Sequence, residues 1–394
     1  MQGTGAVVGA QVVTPDGLLE QHTVRFADGR ITDITPEPYS GPGVVLTADG
    51  ATLLPGFLDV HIHGGGGSDT MDATPDALRT ICRTHARYGT TGLLATTMTQ
   101  SRERITAALD NARRAYEAGP AFCPDGAQVL GIHLEGPYIS PERPGAQPRQ
   151  FVRDYDPEEF AEWLRVSGGA MKLITLAPER PGADALITAC RQAGIVISTG
   201  HTDADAAQTR AALSEGVTHA THLFNAMPSI HHRKPGPIPV LLSDPRVLVE
   251  IIADGHHVSP EIIGMTFAAR GPSGIALITD AMSGAGAPEG LYDLGGLAVT
   301  VSGGRATLAD GTLAGSVLTM AQAARNVADW VGANGSERWP ILAALTSGNV
   351  AREMGWVTKG AIRPGNDADL TLLSDREEVI ATMVAGRLVY RRES

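Results

Sequence analysis

From Leu53 onward the chain repeats one texture eight times: a short apolar run that ends in polar residues or glycine, then an amphipathic helical stretch. The runs are GFLDVHIH, TTGLLATTMT, QVLGIHLEGP, MKLITLAPE, GIVISTGHT, THATHLFNAM, VLVEIIADGHHV and IALITDAM. Strands that are apolar throughout are buried on both faces, as in a parallel sheet covered by helices. Eight such units favour a (β/α)8 barrel of the TIM type over an open doubly wound sheet. The helices between them are legible. In 101–118, Ile105, Ala108, Leu109, Ala112, Ala115 and Tyr116 share one face behind the N-cap candidate Ser101. At DPEEF, Asp156 can cap, Pro157 suits the first helical position and Glu159 can complete a capping box.

The chain ends read differently. Residues 1–54 are short β-rich pieces divided by Asp-Gly turns, and 358–394 returns to short strands and turns. Both ends are expected to share one small β-sandwich domain, with the barrel spanning 55–357. At 394 residues and 43% hydrophobic, the chain can bury a large core. No run approaches the roughly 20 apolar residues of a membrane span, and the N-terminus lacks the basic start and apolar stretch of a signal peptide, so a cytoplasmic protein is expected. Cys82, Cys123 and Cys190 are odd in number and form no Cys-x-x-Cys, which argues against a disulfide framework or a thiolate metal site. With 31 basic against 43 acidic residues, the net charge is −12 and no basic stripe offers itself to nucleic acid. An anionic ligand would need a local cationic pocket.

In such barrels chemistry sits at the C-terminal ends of the strands, so the residues closing each run are the informative ones. The first run ends in His61 and His63, the third in Glu135, the fifth in His201, the sixth in His222, the seventh in His257 and the eighth in Asp280. Residues i and i+2 of a strand share a face, so His61 and His63 point together, and the glycines after them let the chain turn away. A lone His-x-His is as compatible with two solvent-facing histidines as with ligands. Imidazoles and carboxylates converging on one rim can hold one or two divalent ions, with zinc suited and iron or manganese nearly as well. No Gly-x-Ser-x-Gly nucleophile elbow is present, and the glycine-rich SGAGAPEG after Asp280 follows no nucleotide-binding fingerprint.

The motifs LPGFLDVHIHGGGG, HLEGPY, STGHT, THLFNAMPS, IIADGHHVSP, LITDAM and GTLAGS, in that order and spanning essentially the whole chain, resemble the amidohydrolase superfamily. Within it the resemblance is to the N-acetylglucosamine-6-phosphate deacetylases. HLEGP together with HLFNAM is far more specific than His-x-His alone. The resemblance implies Glu135, His201 and His222 as the main metal ligands and His61 with His63 completing a second site, with Glu135 bridging. Asp280 matches the family's catalytic base, a carboxylate able to accept a proton from the attacking water and hand it to the departing amine. The implied reaction is metal-dependent hydrolysis of N-acetylglucosamine 6-phosphate to glucosamine 6-phosphate and acetate. Asn225 and the backbone of Ala226 are implied near the phosphate and His257 near the sugar hydroxyls. Ala146, Leu313, Ala314 and Gly315 are implied along the pocket. Arg233 matches a family arginine that reaches the phosphate from a neighbouring subunit, which implies a homodimer; local sequence alone reads it as a solvated loop cation.

One position departs from the family pattern. Gln147 stands where a histidine that polarises the acetyl group is common, and glutamine carries no transferable proton at neutral pH. Natural variation compensated by a second metal, an altered substrate preference and an introduced substitution all remain open, and a histidine at 147 is expected to raise turnover. The nearest rival activity is deacetylation of a related acylated sugar phosphate such as N-acetylgalactosamine 6-phosphate. A non-catalytic sugar-phosphate sensor on the same barrel is the rival from another class.

Overall fold

The structure, a computed structural model, describes residues 3–48 and 50–393; Met1, Gln2, Asp49 and Ser394, all within the expected small domain, lie outside them. All eight apolar runs contribute parallel strands to one sheet, in chain order: Phe57–Ile62, Thr90–Thr96, Gln128–Glu135, Met171–Leu176, Val196–Thr199, His219–Ala220, Leu248–Ile252 and Ile275–Ile278. The barrel closes between first and eighth strands, where Asp280 N–H donates to the His61 carbonyl at 2.9 Å and His63 N–H to the Ala281 carbonyl at 2.9 Å. Every residue of the first two strands is buried. That two-sided burial explains their continuous apolar reading, and each large aliphatic side chain so buried contributes roughly 1.5–3 kcal/mol.

The flanking helices follow their caps. Arg102–Ala118 begins on Ser101, whose hydroxyl accepts from the Arg104 N–H, a cap worth about 1 kcal/mol. Pro157–Ser167 begins on Asp156, whose carboxylate accepts from the N–H groups of Glu158 and Glu159. The capping box expected at Glu159 does not form. Its carboxylate instead accepts from the Tyr138 hydroxyl and the Arg153 guanidinium; a carboxylate gains more from a charged donor than from a neutral one. The run THATHLFNAM is also shorter as a strand than expected. Pairing ends at Ala220, and 221–226 is turn, with left-handed backbone at His222, Phe224 and Ala226.

The chain ends do share a sheet. Gly5–Thr14 pairs with Gly17–Ala27 on one side and, on the other, runs parallel to both Val44–Thr47 and Thr52–Pro55. Leu370–Leu373, Val379–Val384 and Arg387–Arg391 join through Thr52–Pro55. With Arg30–Thr35 paired to Gly17–Ala27 at one edge, this eight-stranded sheet, forked at Gly5–Thr14, lines a core of its own around Val7, Phe26, Leu46, Leu53, Leu370 and Met383. After the eighth barrel strand comes a small antiparallel sheet, Gly290–Leu294, Leu297–Ser302 and Arg305–Thr307. Its middle strand alternates buried and exposed positions and its first is mostly exposed, so the apolar-run pattern passed over them. Among the described residues the three cysteines are buried and free. No helix among them is long and apolar enough to cross a membrane.

Candidate metal centre and active site

The strand ends bring His61, His63, Glu135, His201, His222 and Asp280 together at the rim of the barrel, all buried. Gly64 is where the chain must leave the first strand tightly: a Cβ there would lie 2.4 Å from the Ser68 carbonyl and 2.8 Å from the Ser283 nitrogen. Gly66 and Gly67 then adopt φ of +63° and +89°, conformations open to glycine. His201, His222 and Asp280 have φ of +46°, +28° and +48°. Left-handed backbone at non-glycine residues costs energy and clusters where surrounding structure holds a site in place.

Two groups of donor atoms result, His61–His63–Asp280 and Glu135–His201–His222, each with its atoms within 4.8 Å of one another. Glu135 joins them. Its Oε1 lies 3.2 Å from both His201 Nε2 and His222 Nε2 and 3.3 Å from His61 Nε2. Its Oε2 lies 3.2 Å from His63 Nε2. Asp280 Oδ1 is 3.2 Å from His63 Nε2 and 3.5 Å from His61 Nε2.

The donor set fits divalent ions. His201 Nδ1 faces the Arg143 carbonyl at 3.0 Å, so it carries the proton and Nε2 presents a lone pair. His61 Nε2 is buried with no hydrogen-bond partner although two carboxylates stand beside it. His201 Nε2 and His222 Nε2 face each other at 3.0 Å. Lone pairs and carboxylates packed this closely in a buried site call for a cation, and the mixture of imidazole nitrogen and carboxylate oxygen is that of zinc-type sites. The electrostatics agree. Burial pulls the His63 imidazole down, but Asp280 and Glu135 outweigh it and leave the group raised to about 9. Burial disfavours the charged form of Glu135, yet the surrounding imidazoles hold its carboxyl well below the usual range.

A cavity of 220 Å³ opens on this cluster, lined by Ala146, Gln147, Asn225, Ala226, His257, Leu313 and Gly315 among the residues expected there. One expected lining residue, Ala314, falls elsewhere, and Arg233, expected to act from a neighbouring subunit, stands outside its own chain's cavity. Ala314 is buried off the cavity, its N–H donating to the Ala306 carbonyl. Arg233 is exposed and lines a separate surface depression with Arg210 and Lys234, so within one chain it takes no part in the site. His257 is fixed by Asp254, whose Oδ2 lies 2.7 Å from Nδ1. Gln147 is committed at both ends of its amide: Oε1 accepts from the Thr99 N–H at 2.7 Å and Nε2 donates to Glu135 Oε2 at 2.7 Å.

Sequence reasoning missed Met98, Gly145, Leu294 and Thr312, which also line the cavity; apolar and small residues in loops carry no chemical signal. It also missed two buried acids. Asp59 accepts from the Thr279 hydroxyl at 2.6 Å and from the backbone N–H groups of Thr279 and His61 at 3.3 Å. It thereby ties the first strand to the eighth beside Asp280, and burial pushes its carboxyl up to about 7. Glu250, fully buried in the seventh strand, contacts His61 and His219. An acid inside VLVEIIADG was the available signal. His133 packs its ring 4.6 Å from that of His61 but spends its nitrogens on Thr175 and the Val60 carbonyl.

The profile of the Amidohydrolase family matches residues 52–389. The chain is 42% identical to the N-acetylglucosamine-6-phosphate deacetylase of Bacillus subtilis (strain 168), over 96% of this chain and 95% of that one. It is 37% identical to an N-acetylgalactosamine-6-phosphate deacetylase of Escherichia coli O157:H7, over 96% and 97%. The fold superposes on the crystal structure of the N-acetyl-D-glucosamine-6-phosphate deacetylase of Mycobacterium smegmatis with a TM-score of 0.90 at 36% identity, covering 98% of this chain and all of that one. A buried cluster of imidazoles and carboxylates at the rim of an eight-stranded barrel, in a chain alike from end to end, leaves one assignment: the chain belongs to the amidohydrolase family, in the branch of the N-acetylglucosamine-6-phosphate deacetylases.

Proposed function

We propose that the chain hydrolyses the acetamido bond of N-acetylglucosamine 6-phosphate, releasing acetate and glucosamine 6-phosphate. The observation that carries this reading is the Glu135-bridged ligand cluster opening on a cavity of 220 Å³. Glu135, His201 and His222 would hold one divalent ion and His61, His63 and Asp280 a second, with zinc the best match to the donors. Such ions supply Lewis-acid polarisation and acidify water to a pKa near neutrality. Asp280 is the residue that accepts the proton of the attacking water and returns it to the departing amine. Asn225 and the backbone of Ala226 face the phosphate end of the cavity and His257 the sugar hydroxyls, while Leu313 and Gly315 close the wall. The phosphate's remaining charge would be met by Arg233 of a second copy in a homodimer, whose guanidinium fork suits phosphate. A charged sugar phosphate stays in the compartment where it is made, which supports a cytoplasmic setting.

The test is acetate release by protein stripped of metal and reloaded with zinc, iron or manganese. The panel comprises N-acetylglucosamine 6-phosphate, its galactosamine epimer and the unphosphorylated sugar. Metal-dependent turnover of the glucosamine substrate is expected, with the unphosphorylated sugar slower by a hundredfold or more, about 3 kcal/mol of charge-assisted contact. Preference for the galacto epimer would favour the second reading, which the Escherichia coli relative supports. Turnover that survives metal removal would sink both.

Gln147 bears on rate. The Gln147→His variant is expected to raise kcat by about tenfold, since an imidazole adds a donor that can be charged where the amide can only be neutral. An unchanged or lower kcat at equal metal content would show that the grip of Gln147 on Glu135 matters more than a missing polariser.

A further inference from the structure

We propose that Glu250 is a positioning residue that holds the two halves of the metal centre in register, fixing the ring of His61 from one half and the backbone of His222 from the other. The inference rests on the metal-centre reading above and assigns a role to a residue that lies outside the cavity.

Glu250 sits mid-way along the seventh barrel strand and is fully buried. Its Oε2 lies 2.9 Å from His61 Nδ1 and 3.0 Å from the backbone nitrogen of His222. Its Oε1 lies 3.0 Å from His219 Nε2. Its own carbonyl accepts from the Leu223 N–H at 2.9 Å. One residue therefore grips the first and sixth strand ends together. An ionised carboxylate only accepts, so His61 must carry its proton on Nδ1, which leaves the Nε2 lone pair facing Glu135 and Asp280. That is the tautomer a ligand needs, and a carboxylate behind a ligating imidazole also raises its basicity.

The contact to His222 has a separate consequence. Its φ of +28° is unfavourable for an L-residue and persists only where neighbours over-determine it. The side chain and the carbonyl of Glu250 hold the two successive N–H groups of His222 and Leu223, which keeps His222 Nε2 aimed at Glu135. His61, His133 and Glu250 also form a close group of potential ligands. His133 has both nitrogens engaged by Thr175 and the Val60 carbonyl, so that group orients His61 and does not bind an ion of its own.

The experiment titrates zinc into metal-stripped wild type, Glu250→Gln and Glu250→Leu against a competing chelator, with circular dichroism to confirm folding. Glutamine is nearly isosteric but neutral, so whichever way its amide faces, the carboxylate charge behind His61 Nδ1 is lost. Both folded variants are expected to bind the ion near His61 about 10–100-fold more weakly than wild type. If the leucine variant fails to fold, the glutamine variant carries the test alone. The second readout is the 15N shift pattern of His61 in the zinc-loaded wild type, expected to report a proton on Nδ1. Wild-type affinity in a folded glutamine variant, or a proton on Nε2 of wild-type His61, would overturn the role of Glu250. Failure of the wild type to bind zinc at all would instead overturn the metal-centre reading on which it rests.

Discussion

Replacing Asp280 by asparagine is expected to lower kcat about a thousandfold while changing KM by less than about threefold, in line with the hundred- to ten-thousandfold that a positioned acid or base contributes. The backbone at Asp280 is held from both sides, its N–H donating to the His61 carbonyl at 2.9 Å and its carbonyl accepting from the Ser316 N–H at 2.7 Å. Its left-handed φ of +48° is one that asparagine tolerates better than most residues. The substitution therefore keeps the shape of the site and removes only charge and basicity. Asparagine retains a carbonyl oxygen near His63 and His61, so metal content, measured on the same sample, separates a lost proton acceptor from a lost ion. Turnover within tenfold of wild type at full metal loading would show that another group moves the proton.

The barrel and the cluster of residues at its rim were legible for a common reason. Strands buried on both faces are apolar throughout, so the polar residues that close them stand out, and His61, His63, Glu135, His201, His222 and Asp280 all end such runs. The exceptions have physical causes. THATHLFNAM reads as a strand, yet His222, Phe224 and Ala226 adopt left-handed backbone, which none of those residue types announces. Glu159 was in place for a capping box, but Arg153 and Tyr138, brought near by tertiary packing, offered stronger partners. Glu250 and Asp59 act from within strands, and what each does depends on its barrel neighbours in space, far away in the chain. Arg233 was placed by resemblance to a site that spans two subunits, and one chain shows it only as an exposed cation beside another depression.

Lys359→Met is expected to cost about 3–5 kcal/mol of stability, the usual penalty for removing one partner of a buried ion pair, while the folded protein keeps wild-type kcat. Lys359 Nζ lies 2.5 Å from Asp369 Oδ2 and 3.1 Å from Asp367 Oδ2, with side-chain exposures of 10%, 6% and 20%. Asp369 is where the chain-end sheet meets the barrel. Its Oδ1 accepts from the Ala385 N–H at 2.8 Å, and its carbonyl accepts from the N–H of Gly56, the residue before the first barrel strand, at 2.9 Å. Methionine fills the lysine's volume but leaves the carboxylates without their cation. His61 and His63 lie at the opposite end of that strand, which is why turnover is expected to be spared. Burial pulls the Lys359 ammonium down, but Asp369 and Asp367 outweigh it and leave it raised above the ordinary 10.5. A cation whose folded pKa is raised contributes its full stability below its unfolded value and loses it as pH climbs through the folded one. The gap between wild type and variant in urea midpoint should accordingly stay constant from about pH 6 to 9 and narrow only above the ordinary lysine range. Asp369→Asn added to Lys359→Met should then cost less than Asp369→Asn alone, because the charge it removes has already lost its partner. Additive losses in that double-mutant comparison would show that the lysine stabilises the junction by packing its stem, with the ion pair contributing nothing of its own.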